Sequence, residues 1–271
     1  MGKVISISNQ KGGCAKTTTA INLAVALKEL GKKVLIIDAD PQGNCTAALG
    51  YRVPDELKVT LANILIDIVN DEDVDLGEGI LHHSENIDLV PANIELAGLE
   101  VALINVMSRE TVLKSYVDEV KGYYDYVLID CMPSLGMLTI NALVAADAVI
   151  IPVQTSYLPV KGLEQLLSTI AKVRRQLNRN LEIEGILLTM VDMRTVYARD
   201  MIVKVHETYG TNPQVGTFET YIPRSVRAEE TCAEGKSIFE YRPDCKVARA
   251  YMSLAKEVLD YDAEEEIWGE D

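Results

Sequence analysis

Six short runs rich in Ile, Val and Leu recur along the 271-residue chain: Val4–Ser8, Val34–Asp38, Ile87–Pro91, Tyr126–Asp130, Ala148–Val153 and Gly185–Met190. Each is short for a helix and apolar for a loop, so each reads as a strand buried on both faces. Between them, apolar residues fall every three or four positions over Lys16–Leu30, Ile94–Met107, Thr111–Lys121, Leu135–Ala146, Val160–Leu177 and Thr195–Tyr209. That spacing predicts helices, with a last one over Lys246–Leu259. Parallel strands need long crossovers, and helices supply them, so the alternation predicts an α/β fold: a mostly parallel central sheet with helices on both faces. No repeat, low-complexity tract or Pro/Gly/Ser linker marks a boundary. Residues 1–260 therefore read as one domain, followed by a solvated acidic tail over 261–271.

Aromatic residues make up only 6% of the chain, so its core must come from Ile, Leu, Val and Ala. No apolar run has membrane-spanning length, and Val4 opens the first strand without a basic and apolar leader. Both points predict a cytoplasmic protein with no membrane partner. Its five cysteines lack C-x-x-C spacing and read as free thiols. The net charge of −15 is unevenly spread: residues 161–256 carry 15 Lys and Arg against 12 Asp and Glu, whereas 257–271 carry eight acids and no base. Distribution, more than the sum, decides whether a polyanion can bind.

The segment Ser8-Asn9-Gln10-Lys11-Gly12-Gly13-Cys14-Ala15-Lys16-Thr17-Thr18-Thr19 follows the first strand and opens the first helix. Backbone N–H groups in such a turn form an anion nest, and the helix N-terminus adds positive potential. Lys16 would reach the β and γ phosphates and Thr17 would ligate Mg²⁺. Gln10 and Ala15 stand where the G-x-x-x-x-G-K-[ST] pattern has glycines, so a glycine-rich helix cap with an incidental lysine is the alternative. Ala15 is expected to have negative φ, or to cost some affinity. Lys11, five residues before Lys16, adds a second ammonium, and a triphosphate would relieve the repulsion between the two. Cys14 is either a small filler of the loop or a redox-sensitive thiol activated by the helix terminus.

Two further strands end in acids: Val34–Asp38 leads into Asp38-Ala39-Asp40-Pro41-Gln42-Gly43-Asn44, and Tyr126–Asp130 ends on Asp130. Ligand groups in open α/β sheets project from this strand end, and Asp130 fits a magnesium-holding role. A strand-end Asp can also simply cap a turn.

Together, Lys11–Thr18, Asp38–Asn44 and Asp130-Cys131-Met132-Pro133-Ser134-Leu135-Gly136 resemble the deviant Walker A, switch I and switch II motifs of the ParA/MinD ATPases. Leu188–Thr195 and Ile222-Pro223-Arg224-Ser225-Val226-Arg227 resemble signatures of the ParA/Soj branch, and the similarity runs from about residue 3 to about residue 260. The resemblance implies a single P-loop NTPase domain. It also implies a slow, partner-stimulated ATP hydrolase using ATP and Mg²⁺, bridged into a homodimer by ATP. By the same resemblance, Lys11, Gly12, Gly13, Cys14, Ala15, Lys16, Thr17 and Thr18 hold the nucleotide, with Pro223 and Arg224 near the adenine. Lys11 reaches the partner subunit's phosphates, and Lys16 neutralises charge on its own. Asp40 positions the attacking water, and Thr17, Asp40 and Asp130 serve the metal.

Relatives of this kind bind duplex DNA without sequence preference, which here points to Arg194, Arg224 and Arg227; scattered bases on a solvated face are the alternative. The first motif begins within ten residues of Met1, leaving no expected helix-turn-helix extension. Centromere recognition would then fall to a ParB-like partner, and the function implied is positioning or segregation of chromosome or plasmid DNA at the nucleoid. Other possibilities are a MinD-like membrane ATPase, an orphan ParA-type protein moving a protein cargo, an electron carrier like the nitrogenase iron protein, and an inert nucleotide-gated scaffold. The acidic C-terminus opposes the membrane option. For the electron carrier, Cys131 lacks an evident second ligand.

Overall fold

The computed structural model describes residues 2–155, 160–210, 212 and 214–268. Among the described residues seven strands form one sheet: β1 (Lys3–Ile7), β2 (Val34–Ala39), β3 (Leu81–His82), β4 (Asp88–Val90), β5 (Tyr126–Cys131), β6 (Ala148–Gln154) and β7 (Glu182–Thr189). Their order is β3-β4-β2-β5-β1-β6-β7, and every pairing is parallel except β3 with β4. The period of two along each strand divides the core. Val4, Leu35 and Ile37 enter one cluster, while Ile5, Ile7, Val34 and Ile36 enter another on the opposite face.

The first face is covered by α3 (Leu61–Val69), α4 (Glu95–Ala102), α5 (Val112–Val120), α6 (Met137–Ala145), α7 (Val160–Gln176) and α8 (Val196–Val205). The second carries α1 (Lys16–Glu29), α2 (Asn44–Ala48), α9 (Val226–Glu234), α10 (Ile238–Tyr241) and α11 (Lys246–Trp268). Helix α1 is Ala- and Leu-rich with ten buried residues, and it ends at Gly31, whose φ of 87° suits a left-handed stop.

All six expected strands and seven helices appear, with three local departures. The helix expected over Ile94–Met107 stops at Ala102 and tightens into a 3₁₀ turn over Leu103–Asn105, and the one ending at Tyr209 widens into a π turn after Val205. The last helix, expected to end at Leu259, continues through Trp268 into the acidic stretch read as a tail. The first part of that stretch is anchored: Asp262 accepts hydrogen bonds from the Lys3 ammonium and the Tyr126 hydroxyl beneath the sheet. No helix among the described residues is long and apolar enough to cross a membrane.

Candidate nucleotide site and its basic rim

The strand register brings the chemistry together. Ile7 of β1 and Asp38 of β2 both pair with Asp130 of β5, so the phosphate-loop strand and both acid-bearing strands end at one level. The loop is then shaped by its own side chains. Asn9 donates to the Pro152 carbonyl at 2.6 Å and accepts from the Lys11 amide at 2.9 Å, fixing the turn's entry. Gly13 has φ of 70°, and a Cβ built there would meet nothing within 4 Å, leaving an open backbone cradle above α1. The Thr189 hydroxyl, fully buried at the end of β7, donates to the Cys14 carbonyl at 3.1 Å.

Ala15, at the N-cap of α1, has φ of 67° and ψ of 33°, so of the two alternatives for this residue negative φ is ruled out and a cost at the loop is left. The cause is local: the backbone must curl left-handed here to aim the loop amides at one point. A Cβ in that conformation costs roughly 1–2 kcal/mol, against about 0.4–1 kcal/mol for the extra unfolded-state entropy of glycine. Ala15→Gly should therefore stabilise the nucleotide-free protein by about 0.5–1 kcal/mol, read as a melting temperature raised by roughly 1–4 °C. An unchanged or lowered melting temperature would show that the loop relaxes around the Cβ.

The two lysines part company. Lys16 is only 7% exposed and turns its ammonium into the loop, donating to the Lys11 carbonyl at 3.2 Å. Lys11 points away from that cradle, its Nζ 3.4 Å from Oε1 of Gln154 at the end of β6. Cys14 is buried, with Sγ donating to the Lys11 carbonyl at 3.2 Å. Burial pushes its thiol upward despite the nearby Lys16 charge, which favours the filler role over redox chemistry.

The acids form a graded set. Asp38 is fully buried; its Oδ2 accepts from the Thr46 amide and hydroxyl at 2.9 and 2.7 Å, and Oδ1 accepts from the Asp40 amide at 3.2 Å. Asp40 accepts from the Gln42 amide at 2.9 Å, holding the turn that follows β2. Asp130 accepts from the Thr17 hydroxyl at 2.7 Å through Oδ2, while its buried Oδ1 has no hydrogen-bond partner among the described residues. Desolvation, then the Asp38 charge, push Asp130 up to about 8, against the opposing pull of Thr17 and Lys16. Desolvation likewise raises Asp38. A buried, unpartnered carboxylate oxygen beside a threonine hydroxyl and an ammonium group is suited to a hydrated divalent cation bridging to phosphate.

The remaining expected residues lie to one side. Pro223 forms a parallel bridge with Val191, and the Arg224 amide donates to the Val191 carbonyl at 3.0 Å. An open cavity of about 860 Å³ is lined by Arg194, Pro223, Arg224, Lys246 and Arg249 among others. A smaller one of about 250 Å³ runs from Arg224 to Gln154, the residue that holds Lys11. Arg194 is clamped by Asp192 through bonds of 2.8 and 2.7 Å, which pull the Asp192 carboxyl down to about 2. Arg227 is exposed on the first turn of α9 and does not line that cavity. Sequence reasoning did not place Asn9, Gln154 and Thr189 in the site. An Asn two residues before Lys11 was a visible turn signal, whereas the other two depend on pairing of distant strands.

Residues 2–183 match the family described as an AAA domain. Over 258 residues the chain is 46% identical to sporulation initiation inhibitor protein Soj of Bacillus subtilis, covering 95% of this chain and 98% of that one. The chain belongs to the ParA/Soj family of P-loop ATPases. Another ParA/Soj relative, chromosome partitioning protein ParA of Caulobacter vibrioides, is 39% identical over 95% of this chain and 94% of its own. Among solved structures, cobyrinic acid a,c-diamide synthase from Mycobacterium smegmatis with bound ADP and magnesium superimposes with a TM-score of 0.82. It is 37% identical, over 96% of this chain and 94% of that one. Membership of that family makes the chain a P-loop ATPase.

Proposed function

We propose that this ParA/Soj ATPase works as a nucleotide-switched homodimer that binds duplex DNA without sequence preference and positions or segregates DNA with a ParB-like partner. The observation that carries the proposal is the divergence of the two loop lysines. Lys16 fills the cradle of its own chain, whereas Lys11 stands outside it, 3.4 Å from Gln154 and half-buried. An ammonium that does not serve its own chain's cradle would meet a second copy's triphosphate. ATP would then join two chains, and loss of its γ-phosphate would release them.

Within one site the roles follow from position. The loop amides from Gly12 to Thr18 bind the phosphates, with Lys16 beside the β and γ oxygens. Thr17, Asp130 and Asp40 would hold Mg²⁺, which neutralises charge developing on the transferred phosphoryl group. Asp40, fixed by the Gln42 amide, orients the attacking water. Pro223 and Arg224 flank the base.

The DNA reading is supported by Arg194, Arg224, Lys246 and Arg249 on one open cavity, by Arg227 nearby on α9, and by the Thr189 bond that ties the neighbouring strand end to the phosphate loop. With a slowly hydrolysed ATP analogue and magnesium, the protein should retain duplexes of unrelated sequence equally, with affinity falling steeply from 50 to 200 mM salt. With ADP retention should be lost. Binding that ignores either nucleotide or salt would overturn the DNA reading.

A further inference from the structure

At the opposite end of the sheet from the nucleotide, a second basic cluster has no role in the reading above. Arg174 and Arg175 in the last turn of α7, Arg179 just beyond it, and Gln214 from the segment after α8 line, with Ala171, an open cavity of about 500 Å³. None of the three guanidinium groups has a carboxylate within 4 Å among the described residues, although the chain as a whole carries 41 acids. Arginine in a last helical turn is favoured by the helix dipole, which accounts for Arg174 and Arg175. It does not account for Arg179, which lies outside the helix, nor for a polar Gln214 reaching the same hollow from another segment.

We propose that Arg174, Arg175, Arg179 and Gln214 form a second anion site that takes phosphodiester groups of duplex DNA. The inference rests on the DNA reading and extends its footprint. Helices α7 and α8 pack on the same face of the sheet, since Leu166, Ile170 and Val173 share a core cluster with Ala198 and Val205. Arg199 and Lys204, both exposed on α8, lie in sequence between Arg194 at the upper end and Gln214 at the lower. The strand β7 has eight residues and spans roughly 26 Å, close to eight base pairs of duplex. A duplex laid along this edge would meet guanidinium groups at both ends of that span. Phosphate is the fitting ligand because planar guanidinium forks bind it bidentately.

The test measures DNA affinity of the full chain, with ATP analogue and magnesium, as a function of salt. Each lost phosphate contact lowers the slope of log affinity against log salt by about 0.9. Replacing Arg174, Arg175 and Arg179 together by Ala should lower the slope by roughly 2–3 and weaken binding about tenfold or more, with nucleotide-dependent dimerisation and ATP turnover unchanged. The triple Lys variant, which keeps the charge, should recover most of the slope. If the Ala variant fails to fold, Arg179→Ala alone should lower the slope by about 0.9. Wild-type slope in a folded Ala variant overturns the inference while leaving the DNA reading intact, and absence of any wild-type binding overturns that reading itself. A polyglutamate peptide that binds the wild type but not the Ala variant, with DNA binding unaltered, would overturn DNA as the ligand and assign the cluster to an acidic protein.

Discussion

Asp130→Asn is expected to make the nucleotide-free protein more stable at pH 8 and above while reducing ATP turnover at least about a hundredfold, as loss of one preorganised electrostatic group does elsewhere. The two effects share one cause. Asp130 is buried with one oxygen unpartnered, so its charged form is disfavoured until a cation and a triphosphate arrive. Its pKa is raised to about 8 in the fold and lies in the ordinary carboxylate range when unfolded. The folded chain thus binds the extra proton between about pH 4 and pH 8, and stability falls as pH rises through that window. The slope is at most about 1.4 kcal/mol per pH unit. The amide can accept from Thr17 as the carboxylate does, and it carries no charge to oppose Asp38. Melting curves of both proteins from pH 5 to 9 should diverge toward the alkaline end, wild type falling and the variant flat in this contribution. Parallel curves would mean that Asp130 is already paired in the absence of nucleotide.

Asp40→Ala should separate gripping ATP from cleaving it. The side chain braces the turn after β2 through the Gln42 amide and contributes nothing to the cradle that the loop amides and Lys16 make. Its proposed tasks are to orient water, an effect typically worth 10²–10⁴ in rate, and to help hold a Mg²⁺ that Thr17 and Asp130 would still retain without it. Turnover should therefore fall by at least about a hundredfold, while ATP binding stays within a few-fold of wild type and the dimer outlives that of the parent protein. Loss of nucleotide binding would instead make Asp40 a structural brace. Phosphate release together with equilibrium nucleotide titration decides between the two.

Much of this arrangement is legible before any coordinates. The buried strands announce themselves through unbroken Ile, Val and Leu runs such as Val34–Ile37, because both faces of a parallel strand meet helices. The phosphate loop and the two acid-bearing strand ends are local motifs, so their residues can be named from order alone. What remains hidden has two physical origins. Helix α3 lies inside a carboxylate-rich stretch for which no helix is predicted, yet Leu61, Ala62, Ile64 and Leu65 are buried and Thr60 with Asn63 forms a capping box. The rest is non-local. The Gln154 contact to Lys11, the Thr189 bond to Cys14 and the anchoring of Asp262 by Lys3 and Tyr126 each join residues more than a hundred positions apart. Ala15 is a different case, because its left-handed backbone is dictated by the loop's shape against the preference of its own side chain.

The central claim is that one triphosphate is shared by two chains through Lys11, and sedimentation with a slowly hydrolysed ATP analogue and magnesium tests it most directly. The account predicts that the wild-type protein shifts from one chain to two on adding the analogue, and that Lys11→Ala, still binding nucleotide through Lys16, remains a single chain. A wild-type protein that stays a single chain at saturating analogue, or a Lys11→Ala protein that dimerises as readily, would contradict it.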